Sequence, residues 1–346
     1  MMMIKAFFIG SLVFVILFIF SLAVFNDYRT PNDEETVVYY AYVVNTGKGT
    51  ITVIDTVTDT VINEIHAGIE ISDGLATNRK LGKIYTTNAS QDSLLVFDGY
   101  RYEFLYSIDL ERNIHGIDIS SDDRYLYLTS GSLEEGHENN YIMIFDTEEN
   151  QLVVEYESAA KSPTHISFSN DGRFAFISNV VSSDVSIFDT ALGRTIRTIP
   201  VGRVPNNTKP AMDDKKLYVA TLLDNNVVVV DLETNKVIEK IPAGEGTHGI
   251  AVTEDNQMVW TTNRFSSDVT IINTENKQVI KTLKAGNVPN YVIQVPNSNK
   301  MYVSNYESGD ITVIDISTFE TINTISVGEK PHEIGFLPKK SIDVDN

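Results

Sequence analysis

The sequence predicts an all-β protein: a seven-bladed β-propeller whose C-terminal strand closes the first blade, preceded by one N-terminal transmembrane or signal helix. Three observations predict it. A phrase that ends strand-like runs recurs seven times, from "YVVN" at Asn45 to "YVSN" at Asn305, at intervals of 42 to 49 residues. A second phrase keeps the same beat, from "VIDT" at Asp55 through "VVDL" at Asp231 to "VIDI" at Asp315. The repeats also begin one strand late and end one strand over, as a closed ring requires. Periods of this length mark repeat architectures.

The elements follow in order. Ala6 to Phe25 carries no charge, with Lys5 before it and Asp33-Glu34-Glu35 after it. About 20 apolar residues are enough to cross a bilayer. Residues 1–25 therefore read as a membrane anchor, or as a signal cut near Ser21-Leu22-Ala23, and residues 26–36 as a linker. Either reading places the remainder outside the cytoplasm, at the cell surface or in a periplasm. The propeller spans 37–338 and a tail covers 339–346.

Each repeat holds four short runs. In the sixth, "HGIAV" from His248 is run A, "QMVWTT" run B, "DVTIIN" run C and "QVIKTLKA" run D. Runs of β-branched and aromatic residues bounded by Asn, Asp, Gly and Ser are strands. Run C is apolar at consecutive positions, as at Val227 to Val230, and so is buried on both faces. Run D alternates, as an outer strand should. Four-stranded units of this length are propeller blades. The first unit starts at run B, and "HEIGFLP" after the last unit has the pattern of run A. Pairing the two seals the ring and removes two open sheet edges.

The phrases "YVVN", "YVSN", "VIDT" and "IPVG" resemble the YVTN family of β-propeller repeats over nearly all of Val37 to Pro338. The resemblance implies a bacterial or archaeal surface or periplasmic propeller, similar in architecture to haem d1 propellers and lactonases. It implies little about chemistry, because one fold carries many functions.

Composition closes several routes. The formal charge is −20, which repels nucleic acid. There is no cysteine, hence no disulfide, thiolate nucleophile, Cys-ligated zinc or iron–sulfur cluster. No G-x-S-x-G elbow is present. The G-x-G-x-x-G at Gly244, Gly246 and Gly249 precedes a strand rather than a helix, so it is a turn and not a dinucleotide fingerprint. The aspartates that end run C, such as Asp55 and Asp189, recur in nearly every repeat and are turn caps. Sequons stand at Asn88 and Asn206.

A polar ring is the informative feature. Gapless alignment puts Asp73, His115, Thr164, Asn206, His248, Asn290 and His332 at the mouth of run A, around one end of the central channel. The asparagines that end run B should lie near them. The same alignment sends His165 one step on, facing the blade interface. His66 is an ordinary turn residue, and His137 lies in the long third-blade loop.

Three ring histidines, His115, His248 and His332, are spread as evenly as seven blades allow. With Asp73 they form a candidate transition-metal site, since neutral imidazoles from separate strands build open metal sites. The same ring equally suits turn capping and channel solvation, or a small-ligand site without metal. The expected role is an extracytoplasmic binding or surface module. Its partner, a protein, glycan or small ligand, would meet the channel face, including Ser130 to Asn140 and Arg264-Phe265. The alternative is a metal- or haem-type enzyme, or a lactonase-like hydrolase, at the channel mouth.

Overall fold

A computed structural model describes residues 37–131 and 140–340. The N-terminal apolar segment, most of the third-blade loop with His137, and the tail beyond 340 lie outside them. Among the described residues no helix is long and apolar enough to cross a membrane. The one helical element is a 3₁₀ turn at Ala89–Gln91.

Seven four-stranded antiparallel sheets make the seven blades. In blade 6, strand A is Thr247–Val252, B is Met258–Asn263, C is Asp268–Asn273 and D is Val279–Lys284. Blade 1 is closed as expected. Its inner strand is the C-terminal Pro331–Pro338, which pairs with Tyr39–Asn45. The strands alternate in direction. The D–A connections and B–C turns therefore share one face, called here the mouth face. The A–B and C–D turns share the other, and the chain enters there at Tyr39.

The blades are held by what the repeat puts between them. Every strand B buries one aromatic ring at the same position: Tyr42, Tyr85, Tyr127, Phe176, Tyr218, Trp260 and Tyr302. Tyr42 packs with Ile84, Leu95 and Phe97 of blade 2, and Tyr218 with Ile250, Val259 and Ile272 of blade 6. Each hydrophobic cluster thus spans two blades. Burying one such side chain contributes about 1.5–3 kcal/mol.

Polar side chains finish the turns. Asp55 accepts from Val57 N at 2.9 Å and Asp189 from Ala191 N at 3.0 Å, which makes both turn caps. Asn263 donates to Asp268 (2.8 Å) and to Thr270 (2.9 Å) across its B–C turn. Asn45, Asn179 and Asn305 do the same in their blades. Blade 7 is locked to blade 1 by Lys300, whose Nζ reaches Asp59 Oδ2 at 2.7 Å while the Tyr302 hydroxyl donates to Asp59 Oδ1.

All seven outer strands carry a β-bulge at one register. Val229 pairs with Glu239 and Val230 with Val237, leaving Ile238 as the extra residue. The same slip leaves Ile62, Leu105, Val153, Ile196, Ile280 and Ile322. All seven aliphatic side chains are exposed.

Candidate functional site

The channel is lined by the inner strands, and these begin irregularly. In blade 6 Thr247 lies opposite Asn263 but Ile250 opposite Thr261, so strand A holds one extra residue at His248-Gly249. Blades 1, 4, 5 and 7 slip in the same place. A bulge re-aims side chains that strict alternation would send to opposite faces.

That slip changes the histidine set. In blade 4 the Thr164 hydroxyl turns back to the strand B carbonyl of Ser178, at 3.3 Å. His165, which alternation sends to the blade interface, lies instead among the channel imidazoles. Its ring meets His115 edge to face at 5.2 Å and His248 at 6.2 Å. His248 in turn meets His332 at 6.3 Å. Four imidazoles from blades 3, 4, 6 and 1 therefore form one chain across the channel.

Their nitrogens are unequally engaged. His248 Nδ1 donates to the carbonyl of Asn290 at 3.0 Å, and Arg264 Nη1 donates to His248 Nε2 at 3.3 Å. A carbonyl only accepts and a guanidinium only donates, which fixes the His248 tautomer. Gly249 permits this approach, because a Cβ there would stand 2.5 Å from the Asn290 carbonyl oxygen. His332 Nε2 lies 3.7 Å from Asp73 Oδ1, and its buried Nδ1 has no partner. Both side-chain amide atoms of Asn290 are buried and unpartnered too, as is Arg264 Nε. Asn206 accepts from the neighbouring Asn207 amide at 2.8 Å.

Burial keeps the imidazoles neutral. It pushes His115 and His165 down to about 4, and lowers His248 and His332 as well. Coulombic attraction to His332, when that ring takes a proton, lowers the Asp73 carboxyl below the usual carboxylate range. Among the described residues no group of three His, Asp or Glu side chains is placed to hold a metal ion. Asp73, His115, His248 and His332 are no exception. His115 packs on His165, His248 has both nitrogens hydrogen-bonded, and His332 faces Asp73.

Among the described residues, cavities open at both ends of the channel. One of about 270 Å³ at the mouth is lined by Thr46, Ile71, Ser72, Asp73, Ile114, His115 and Tyr306. A larger one of about 470 Å³ opens towards the A–B turns, past Ile117, Ile250, Phe336 and the polar Asp118, Lys209, Tyr291 and Glu333. Glu333 is buried, accepts from Leu75 N at 2.8 Å and lies 3.7 Å from His165 Nδ1. None of these four polar residues belongs to the expected ring. The available signal was a charged or phenolic residue one to three places after a ring position, inside the inner strand.

The family model for the YNCE-like β-propeller matches residues 36–340. The chain belongs to that family. Three solved structures share the YNCE-like propeller's fold. A Kuenenia stuttgartiensis hydrazine synthase chain aligns with TM-score 0.72 and 20% identity, covering 81% of this chain and 92% of its own. A functionally unknown protein from Desulfotomaculum acetoxidans DSM 771 gives 0.74 and 16%, with 87% and 99% covered. The dihydro-heme d1 dehydrogenase NirN, in complex with DHE, gives 0.65 and 14%, with 86% and 74% covered. At these identities the likeness shows the fold alone. No curated protein matches the chain.

On the mouth face of this YNCE-like propeller, three adjacent B–C turns present apolar tips at equivalent positions: Val181, Leu223 and Phe265, all exposed. Sequon Asn88 is fully buried and caps the 3₁₀ turn, so its side chain is closed to glycosylation in the fold.

Proposed function

We propose that this chain is an extracytoplasmic binding module that engages its partner through the mouth face. One observation carries the reading. Asn290, in the mouth ring, buries an amide whose donor and acceptor both lack a partner among the described residues, as does Nδ1 of His332 at the next ring position. Leaving a buried polar group unsatisfied costs about 1–3 kcal/mol. A group that both donates and accepts, such as a peptide amide or a sugar hydroxyl, recovers that energy at this point. The apolar tips of Val181, Leu223 and Phe265 add contact area on the same face, and Arg264 supplies a half-buried cation between the two.

The second reading is a metal- or haem-type cofactor-dependent enzyme centred on His115, His248, His332 and Asp73. Neutral imidazoles favour it, since metal ligands must be unprotonated. Against it weighs that no three donors are grouped to hold a metal ion among the described residues. The extracytoplasmic placement rests on the apolar run Ala6 to Phe25.

The test uses the full-length protein purified without chelator. Peptides and oligosaccharides are titrated while its spectra are followed by NMR, alongside metal analysis and an absorption spectrum. Binding that is lost in Asn290→Ala supports the module. Tight stoichiometric metal or a coloured cofactor, lost in His248→Ala, sinks it in favour of the enzyme.

A further inference from the structure

We propose that the lower chamber of the channel is a separate binding site for a small amphipathic organic monocation, such as an alkylammonium, whose head sits between the Asp118 and Glu333 carboxylates. The site stands apart from the mouth reading, on the other side of the imidazole chain.

Size and walls come first. About 470 Å³ lies within the range of small-molecule pockets, which are mostly apolar with a few convergent polar groups. Ile117, Ile166, Ile250, Val292, Ile334 and Phe336 supply apolar wall. Such a space is far too large for a bare metal ion, and among the described residues no three donors are placed to hold one.

Charge selects the ligand. The ionisable groups lining the chamber are Asp118 from blade 3, Lys209 from blade 5, Tyr291 from blade 7 and Tyr39 and Glu333 from blade 1, with His165 of blade 4 behind Glu333 at 3.7 Å. At the lower rim Arg79 is committed to Asp123 at 3.0 Å, and Glu254 accepts from Asn297 N at 3.2 Å. Inside, two carboxylates stand against one ammonium, since His165 is neutral. When both acids are ionised, one negative charge is uncompensated. Lys209 is the cation that acts on Asp118, and the Glu333 carboxylate acts on Asp118 in the opposite sense. Burial pushes Asp118 up to about 6 and Glu333 up to about 7, as expected of buried anions short of a counter-ion. Tyr291 lines the same chamber and interacts with both acids, and its ring suits the flank of an ammonium.

The experiment titrates full-length protein with butylammonium and tetramethylammonium, using pentanol and butyrate as neutral and anionic counterparts. Calorimetry or ligand-observed NMR reads the binding. Asp118→Asn and Glu333→Gln keep the backbone hydrogen bonds their oxygens accept, and each should weaken the ammonium probes tenfold or more. Lys209→Met removes the internal competitor from an exposed position and should tighten them several-fold. Asn290→Ala at the mouth should change nothing. Equal binding of pentanol, absence of any saturable ammonium binding, or looser binding in Lys209→Met would each overturn the proposal.

Discussion

His248 donates through Nδ1 to the carbonyl of Asn290, the next residue around the ring, at 3.0 Å. This bond joins blade 6 to blade 7 inside the channel. It also leaves Nε2 as the acceptor for Arg264. The same imidazole therefore works as an inter-blade tie and as the support of the half-buried Arg264 cation at the mouth.

His248→Ala removes both bonds and should lower stability by about 1–3 kcal/mol, the usual consequence of stranding buried polar partners. Thr262 still donates to the same carbonyl at 3.0 Å, which keeps the loss towards the lower end. Urea midpoints of the two proteins measure it. An unchanged midpoint would show that the tie carries no load.

Ring closure offers a second test. Asp59 is 9% exposed and holds Lys300 and Tyr302 of the last blade from the first. Its φ of 53° suits Asp or Asn better than Ala. Asp59→Ala removes the carboxylate from the half-buried Lys300 ammonium, which keeps the Thr56 carbonyl at 2.9 Å, and takes the acceptor from the Tyr302 hydroxyl, so it should cost about 1–3 kcal/mol. Asp59→Asn keeps the backbone preference and one acceptor, and should lose less. Thermal melts that rank the two variants the other way contradict this account of closure.

The buried channel groups give stability two pH slopes of opposite sign. Asp118 keeps its proton to about 6 in the fold against an ordinary 3.8, so stability is lost as pH rises through that window. His165 refuses a proton down to about 4 against an ordinary 6.5, so stability is lost as pH falls through that window. Asp118→Asn should therefore gain on the parent protein as pH climbs from 3.8 past 6, and then hold its advantage. His165→Gln should gain in the opposite direction, between 6.5 and 4. Denaturant titrations across both windows decide it; parallel pH curves for parent and variants would refute the assignment.

Seven outer-strand bulges on seven exposed sheet edges act as protection, because a bulged edge cannot template a partner strand. Replacing Ile238 by Lys should shift stability by no more than about 0.5 kcal/mol, as for most surface changes. Deleting Ile238 restores a regular edge and should promote concentration-dependent association, read by light scattering. A deletion variant that stays monomeric and folded rules out the protective role.

The fold was legible because the signals for it are local and repeated seven times. The "YVVN" and "VIDT" phrases mark strands B and C. The late start at Val37 and the surplus "HEIGFLP" forced the closure that Pro331–Pro338 makes with Tyr39–Asn45. The site was only half legible. Spacing picked out the residues at the start of run A, but the one-residue slip in strand A of blades 1, 4, 5, 6 and 7 leaves no mark in a gapless alignment. His165 was therefore sent outward and Thr164 inward, while the bulge turns Thr164 back onto strand B. Asp118, Lys209, Tyr291 and Glu333 were passed over because each looks isolated in its own repeat. The seven aliphatic bulge residues were visible as a pattern, though not as bulges.

The sequence by itself determined the number of blades, the strand order and the way the ring closes, because hydrophobic period and turn chemistry act over a few residues at a time. Only the tertiary structure decided which side chains meet in the channel. That depends on one-residue slips between paired strands and on the convergence of blades far apart in the chain. His115 and His332 are the plainest case, brought to opposite ends of one imidazole chain that neither repeat contains.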